Sequence, residues 1–335
     1  MTRIFSGVKP TGHLTLGNYL GAVRQWVAAD REPDEALFCV VDLHALTVEH
    51  DPARVRRLSR QAATLLLAAG LDPQRCTLYV QSHVDEHTRL AYLLECTATD
   101  GELRRMIQYR EKATSAQAAG DGVRLSLLTY PVLMAADILA YRTDEVPVGE
   151  DQRQHVELAR DLAVRFNQRY GHTFTVPRAT LPAVAARVMD LQDPTSKMGK
   201  SHENGAGIVY LLDEPEVVRR KVMRAVTDSG DGGVVYDRAA RPGVANLLDV
   251  LAACTGREPQ ELAGEYARYG PLKRDVAEAV IELLRPLRER HALLSADPGE
   301  VDRVLREGAG RARALARPVV DRAYGAIGLL APTYA

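Results

Sequence analysis

The stretch Leu37-Phe38-Cys39-Val40-Val41 decides the fold of this 335-residue chain. Five consecutive apolar residues, without polar alternation, are typical of a parallel strand that is buried on both faces of its sheet. Strand-like runs at 3–8 and 78–81 lie on either side of it, and helical patterns at 17–29 and 52–69 separate the three runs. Strands that alternate with helices in this way predict an α/β fold built on a doubly wound parallel sheet.

The length of the chain predicts about two domains, at roughly 150 residues per domain. Residues 1–205 carry the alternation of strands and helices, with a helical insertion at about 84–145. Within that insertion, residues 113–123 have the composition of a loop, and Pro131 suits the first position of a helix. Beyond the first region mainly amphipathic helices are predicted, so residues 206–335 are expected to form a second, all-helical domain.

The bulk composition excludes several classes of protein. Hydrophobic residues make up 46% of the chain and the net charge is −1, so disorder is not expected and nucleic acid would have to bind through local basic patches. The four cysteines are far apart and form no CxxC pair, so neither a disulfide framework nor a protein-ligated metal is predicted. No apolar run approaches a membrane-spanning length and no signal peptide is recognisable, so we expect a cytoplasmic protein without membrane contact.

The hexapeptide Ser196-Lys197-Met198-Gly199-Lys200-Ser201 concentrates a residue type that the chain otherwise avoids. Only six of the 43 lysines and arginines are lysines, and two of those six lie here. The ammonium group of lysine is a compact charge on a flexible stem, which suits it to follow a phosphate that moves during a reaction. The glycine between the lysines lets the backbone approach that phosphate. The hexapeptide fits both a phosphate-binding loop and a solvated turn of scattered charge.

A second candidate motif, Gly7-Val8-Lys9-Pro10-Thr11-Gly12-His13-Leu14-Thr15-Leu16-Gly17-Asn18, joins the first predicted strand to the first helix. Ligands of open parallel sheets bind at the carboxyl ends of the strands, often at the start of a helix. Gly17 has no side chain, so a flat base could lie against the backbone, and Asn18 offers both a donor and an acceptor. The spacing differs from the GxGxxG fingerprint, which argues against a dinucleotide dehydrogenase. A turn that only connects two elements is the alternative.

One face of the predicted helix around Pro131 combines aromatic, thioether and carboxylate groups. Tyr130, Met134 and Asp137 stand at i, i+4 and i+7 and therefore share that face. A core helix would explain the apolar residues, but an unpaired carboxylate in such surroundings costs several kcal/mol. Asp137 therefore predicts an apolar ligand that carries one N–H or O–H donor.

Two further segments hold weaker candidates. His44 follows the central strand, where it either lines a pocket or is a satisfied core histidine. In Gly149-Glu150-Asp151-Gln152, Asp151 either accepts from ribose hydroxyls or caps the next helix, and Gln152 could contact an ammonium group.

Taken together, Thr15-Leu16-Gly17-Asn18 and Lys197-Met198-Gly199-Lys200-Ser201 resemble the HIGH and KMSKS motifs of class I aminoacyl-tRNA synthetases, in the expected order. The segment 149–152 resembles a motif of the tyrosine and tryptophan branch of that class. Within the branch, the chain is most similar to the bacterial-type tryptophanyl-tRNA synthetases. The segments that look like theirs are 5–7, 17–22, 42–45, 128–131, 134–139, 146–152 and 225–229. The resemblance covers essentially the whole chain.

The resemblance implies a Rossmann-like catalytic domain that activates L-tryptophan with ATP, accompanied by Mg²⁺, and then transfers tryptophan to the 3′ end of tRNA(Trp). It also implies that residues 206–335 recognise the anticodon and that the insertion at about 84–145 forms the interface of a homodimer. No tightly bound, protein-ligated metal is implied.

The resemblance further implies roles for individual residues. The catalytic set would be Thr15, Asn18, Lys112, Lys197 and Lys200. Asp137 would accept the indole N–H of tryptophan. The rest of the tryptophan site would be formed by Phe5, His44, Met134, Val146 and Val148 around the indole, and by Tyr130 and Gln152 at the ammonium group. The ATP-binding positions would be Lys9, Pro10, Thr11, Gly17, Asn18, Gly149, Glu150, Asp151, Val188, Lys197, Met198, Gly199, Lys200 and Ser201.

Two positions depart from the family pattern. Gly199 stands where the motif has serine, and Lys9 stands where the bacterial enzymes usually have glutamine. Lys9 places a cation beside the implied amino-acid and ATP sites, so the affinity for indole-based inhibitors is predicted to change.

Two other functions compete with this interpretation. A tyrosyl-tRNA synthetase shares the fold and both motifs, and a non-catalytic paralogue that binds tryptophan or RNA would be a regulatory protein. The retention of Lys197, Lys200 and Asp137 argues against the paralogue.

Overall fold

The computed structural model describes residues 2–28, 36–118, 122–149, 152–180, 188–199, 205–228 and 233–330. Within these residues the chain forms a five-stranded parallel sheet in the order β3-β2-β1-β4-β5. The strands are β1 (Ile4–Val8), β2 (Ala36–Val40), β3 (Thr77–Val80), β4 (Glu145–Pro147) and β5 (Arg178–Thr180). The α/β fold with a doubly wound parallel sheet is therefore confirmed, and β5 adds an edge strand that the sequence did not reveal.

Helices cover both faces of the sheet. Those in the described residues are α1 (Leu16–Asn18), α2 (Arg24–Ala28), α3 (Pro52–Ala68), α4 (Glu86–Glu95), α5 (Asp100–Arg104), α6 (Ile107–Ala118), α7 (Leu125–Leu139), α8 (Arg153–Tyr170), α9 (Pro215–Met223), α10 (Pro242–Thr255), α11 (Pro259–Ala263), α12 (Tyr269–Ala296) and α13 (Pro298–Ile327). A π-helical turn at Tyr19–Val23 joins α1 to α2. Across the described ranges, we find no helix with the length and apolar character needed to cross a membrane.

Two local predictions in the insertion are wrong. The expected loop at 113–123 is helical as far as Ala118, because α6 continues through its first half. Pro131 lies inside α7 rather than at its start. The proline ring cannot donate a hydrogen bond to the carbonyl four residues earlier, yet the helix begins six residues before it, at Leu125. Packing of the apolar residues of α7 in the core outweighs this local loss.

The continuous apolar run of β2 is explained by its two covered faces. Phe38 and Val40 belong to a core cluster that also contains residues of α3, α10 and α12. Leu37, Cys39 and Val41 belong to a second cluster, with residues of α7, α8 and α13. Alternate residues of a strand point to opposite faces, so neither set could be polar without burying an unpaired group.

The C-terminal helices pack directly on the sheet and its flanking helices. Helix α12 contacts α3, and α13 contacts the edge strand β3. A Cβ atom at Gly308 would lie 1.9 Å from the carbonyl oxygen of Leu78, so glycine is required for this close approach. Since helices from both sides of position 205 share one core cluster, the division at 205/206 stays a prediction.

The order of the strands places a switch point between β1 and β4. The chain adds β2 and then β3 on one side of β1, and β4 and then β5 on the other. Strands β1 and β4 pair at Ile4 and Glu145. Crevices at the carboxyl ends of such neighbouring strands are where open α/β sheets bind their ligands.

Candidate active site

A cavity of about 370 Å³ lies at the switch point, a size in the range of small-molecule sites. Many of the site residues predicted from the sequence line it: Phe5, Lys9, Asn18, His44, Lys112, Tyr130, Met134, Asp137, Val146, Val148, Gly149 and Gln152. Trp26, Thr47 and Gln108 also line the cavity and were not predicted. The end of β1, the end of β4 and one face of α7 thus converge on one space.

The apolar part of the cavity comes from both central strands and α7. Phe5 and Val146 are buried, while Met134 and Val148 are half-buried. Phe5 stacks on Tyr141 with ring centroids 6.0 Å apart, which fixes the orientation of its ring. These side chains form walls suited to a flat apolar group.

Asp137 is not the unpaired carboxylate that its apolar helix indicates. It is 1% exposed, and both of its oxygens accept hydrogen bonds. Gln81 Nε2 donates to Oδ1 at 2.8 Å and to Oδ2 at 2.9 Å. His44 Nε2 lies 2.9 Å from Oδ2, and His87 Nδ1 lies 2.6 Å from Oδ1. Because an ionised carboxylate only accepts, both histidine nitrogens carry the proton in these bonds.

The surroundings keep Asp137 ionised despite its burial. Desolvation alone would raise the pKa of the Asp137 carboxyl, but the charge of His87 and the hydrogen bonds from His44 and His87 outweigh it and lower the pKa to about 2. His87 is itself held by Tyr141, whose hydroxyl lies 2.8 Å from Nε2. The carboxylate is therefore a fixed acceptor at neutral pH.

Tyr130 is placed next to polar groups of two other helices. Its hydroxyl lies 2.6 Å from His155 Nε2 on α8 and donates to Gln108 Oε1 on α6 at 3.4 Å. Burial raises the pKa of the Tyr130 hydroxyl, so it remains a neutral hydrogen-bonding group. Lys112 lies 5.7 Å from the centre of the Tyr130 ring.

Two lysines bring positive charge to the cavity. Lys9 donates from Nζ to Thr47 Oγ1 at 3.3 Å. Burial, and then the charge of Lys112, lower the pKa of Lys9 to about 8. Desolvation likewise lowers the pKa of Lys112. Burial and mutual repulsion both disfavour the charged forms of these two lysines. A bound anion would offset both effects, so the site is favourable for an anion.

The loop that carries Lys197 packs against the turn after β1. Met189 pairs with Lys197 in a short antiparallel bridge, and the Met198 N–H donates to the Val188 carbonyl at 3.0 Å. The Thr15 hydroxyl donates to the Met198 carbonyl at 3.4 Å. A Cβ atom at Gly17 would lie 3.1 Å from that same carbonyl oxygen, so the absence of a side chain permits the contact.

The predicted residues of the turn after β1 and of the loop differ in how far they are exposed to solvent. Thr15 is fully buried and also caps α1, so it is placed to hold the loop and not to touch a ligand in the cavity. Lys197 and Thr11 are exposed, and Gly199 is half-buried. Pro10, Val188 and Met198 are buried. The predicted residues Glu150, Asp151, Lys200 and Ser201 lie outside the described residues.

Comparisons with known proteins identify the family of the chain. A family model described as tRNA synthetases class I (W and Y) matches residues 1–285. The chain belongs to this family. It is 77% identical to tryptophan–tRNA ligase 1 of Streptomyces coelicolor over 335 residues, which are 100% of this chain and 99% of that protein.

Two solved structures of the same family are closely similar. The tryptophanyl-tRNA synthetase of Mycoplasma pneumoniae superimposes with a TM-score of 0.89 at 34% identity, with 98% of each chain covered. The enzyme of Campylobacter jejuni complexed with ADP and tryptophan gives a TM-score of 0.83 at 32% identity, over 98% of this chain and 100% of that one. The Rossmann-like fold with a helical C-terminal region is therefore that of the synthetase family.

Sequence reasoning identified His44 as a site residue but missed the other two donors to Asp137, Gln81 and His87. Gln81 directly follows the buried strand β3, a position at the ligand-binding edge of the sheet that could have marked it. His87 lies on the buried face of helix α4, where nothing in the local sequence distinguishes it from a core histidine.

Proposed function

We propose the following reaction for this chain, which as a tryptophan–tRNA ligase joins L-tryptophan to tRNA(Trp) using ATP. The carboxylate of tryptophan attacks the α-phosphate of ATP and forms a C–O–P bond. The bond between the α-phosphorus and the bridging oxygen breaks, and pyrophosphate leaves. The terminal ribose hydroxyl of the tRNA then attacks the carbonyl carbon of tryptophanyl-adenylate, and AMP leaves. Neither step needs a nucleophile from the protein.

The observation that carries this proposal is that one cavity combines apolar walls, a carboxylate and positive charge. Apolar walls from Phe5, Met134 and Val146 lead to an ionised carboxylate, and two lysines supply positive charge. Tryptophan offers the matching features, since it has a flat apolar ring with one N–H donor and a carboxylate that must meet a phosphate.

In this proposal, Asp137 accepts the indole N–H. Both of its oxygens already have protein donors, so the ligand must share an oxygen or replace a donor. Gln81 and His87 are 0% exposed and do not line the cavity, whereas His44 is 7% exposed and does. His44 is therefore the donor that yields to the indole. An amino acid without a side-chain donor would leave Asp137 Oδ2 with Gln81 as its remaining donor once His44 has moved.

The positive charges act on the phosphates. Catalysis here consists of holding two reactants in position and stabilising the charge that develops on the phosphorus and the leaving group. Lys9 and Lys112 face the cavity, and Lys197, with Lys200 beyond it, would meet the triphosphate from the loop. Thr15 and Gly17 hold that loop near the start of α1.

We propose that magnesium enters this site bound to the phosphates of the substrate. Among the described residues, no group of three or more His, Cys, Asp or Glu side chains could hold a metal ion. Mg²⁺ commonly enters such sites bound to substrate phosphates, and we assign no protein ligand to it.

Recognition of the anticodon by residues 206–335, a cytoplasmic location and a homodimer are also part of the proposal. The insertion exposes large apolar side chains, with Tyr92 66%, Ile107 57% and Leu125 73% exposed, which a second copy of the chain could cover. Sedimentation at micromolar concentration should give twice the monomer mass, and a species of monomer mass alone would contradict the homodimer.

Exchange of pyrophosphate into ATP tests the reaction without tRNA. Tryptophan should support the exchange, while tyrosine and phenylalanine should support it at least about 100-fold less well, as expected for a site that pairs with a specific donor. Exchange that favours tyrosine would identify a tyrosyl-tRNA synthetase. Binding of tryptophan without exchange would identify the non-catalytic paralogue.

A further inference from the structure

Asn246 is a buried amide that the cavity does not use. It lies on α10, in the helical C-terminal region, and is 3% exposed. Its Oδ1 accepts from the N–H of Met189 at 2.8 Å, and its Nδ2 donates to the carbonyl of Met189 at 3.0 Å. One side chain thus pairs with both backbone groups of one residue.

That residue is the one opposite Lys197 in the loop. In the antiparallel bridge between Met189 and Lys197, the hydrogen bonds run between the neighbours: the Asp190 N–H donates to the Ser196 carbonyl at 2.9 Å, and the Met198 N–H to the Val188 carbonyl at 3.0 Å. The N–H and carbonyl of Met189 therefore point away from Lys197. Asn246 occupies the place that a third strand would take.

We infer that Asn246 is a positioning residue for Lys197: it fixes the inner strand of the loop, and through the bridge it sets where the lysine-bearing strand lies. The inference rests on the proposed function, because it assumes that Lys197 acts on the triphosphate. It also makes the helical C-terminal region part of the machinery of the first reaction step.

The chemistry of the contact requires an amide. Aspartate in the same place would still accept from the Met189 N–H, but it would set an oxygen against the Met189 carbonyl and bury a charge. Alanine would leave the N–H and the carbonyl of Met189 without their partner. Both changes free the inner strand while the outer contacts of the loop with Thr15 remain.

The test compares Asn246→Ala and Asn246→Asp with Val280→Ala. Val280 is a fully buried residue of α12, which packs on α10, so its truncation loosens the same helical layer and keeps the amide of Asn246. We expect both Asn246 variants to lower kcat for pyrophosphate exchange about tenfold, with KM for ATP changed less than about threefold. Val280→Ala should lose a similar amount of Tm and keep kcat within about twofold. An equal loss of kcat in Val280→Ala would overturn the inference.

Two further measurements separate positioning from general damage. Transfer of tryptophan from preformed adenylate to tRNA does not involve the triphosphate, so its rate should stay within about twofold in the Asn246 variants. In the double variant, adding Asn246→Ala to Lys197→Ala should lower kcat less than about twofold further than Lys197→Ala alone, because coupled residues are not additive. If the losses of kcat in the two single variants multiply in the double variant, Asn246 does not act through Lys197.

The two proposals fail in different ways. If Lys197→Ala alone leaves exchange unchanged, the role of the loop in the proposed function is wrong. If Lys197→Ala lowers kcat and Asn246→Ala does not, only the inference about Asn246 is wrong.

Discussion

The active site has a carboxylate end at Asp137 and a phosphate end at Lys9 and Lys197, and the two ends differ in how firmly their side chains are held. At the carboxylate end, Asp137 is 1% exposed and holds hydrogen bonds from three side chains that belong to the core of the sheet and its helices. At the phosphate end, Lys197 is exposed on a loop, and Lys9 donates a long hydrogen bond to Thr47. In the proposed function, selection of the amino acid therefore depends on a buried carboxylate, and charge stabilisation depends on long side chains.

This difference follows from what each end must do. A donor on a flat ring is recognised best by an acceptor that does not move, since a fixed geometry is what rejects ligands without that donor. A phosphate changes its geometry as pyrophosphate leaves, so long side chains that can follow it are better suited. The comparison predicts that changes at the phosphate end alter kcat, whereas changes at the carboxylate end alter selectivity.

The largest effect is expected at the phosphate end. Lys197→Ala should lower kcat for adenylate formation by about 100-fold, the usual cost of one group that stabilises developing charge, while KM for ATP changes much less. Pyrophosphate exchange at saturating tryptophan measures both constants. Lys200→Ala, which removes the other lysine of the same hexapeptide, is the matched variant. A rise in KM alone would mean that the loop only binds ground-state ATP, and the contrast between the two ends would be lost.

A smaller effect, but on a different quantity, is expected at the carboxylate end. Asp137→Ala should lower kcat/KM for tryptophan at least about tenfold, because a buried hydrogen bond to a charged group is lost. The preference for tryptophan over phenylalanine should fall with it. Asp137→Asn is the control, since it keeps the size of the side chain and removes the charge that His44 and His87 face. An unchanged preference would remove Asp137 from the recognition of the indole.

How far the sequence predicts the molecule differs between the same two ends. The run 37–41, with the strand-like and helical patterns around it, predicts the doubly wound sheet, because a strand covered on both faces is apolar throughout. Asp137 was identified from its misplaced charge. Its donors Gln81 and His87 lie 56 and 50 positions away along the chain, so no local pattern links them to it.

That Pro131 lies inside α7 could not be predicted for a similar reason. A proline rule considers only the helix that contains it, whereas α7 is held by its neighbours α4 and α8. The role of Asn246 also depends on tertiary structure, because its partner Met189 lies 57 positions away.

The smallest effect concerns the charge of Lys9 and its dependence on pH. A lysine is cationic below its pKa and neutral above it, and burial together with Lys112 brings the pKa of Lys9 from 10.5 to about 8. In the free enzyme its charge is therefore lost between about pH 7 and pH 9, well below the usual range for lysine. KM for ATP should rise roughly threefold over this window, the worth of one partly screened ion pair. Lys9→Gln should give a flat profile, and Lys112→Gln should move the rise to higher pH because it removes the repelling charge. A wild-type profile as flat as that of Lys9→Gln would show that Lys9 does not contact the phosphates, and the phosphate end would then consist of Lys112 and the loop alone.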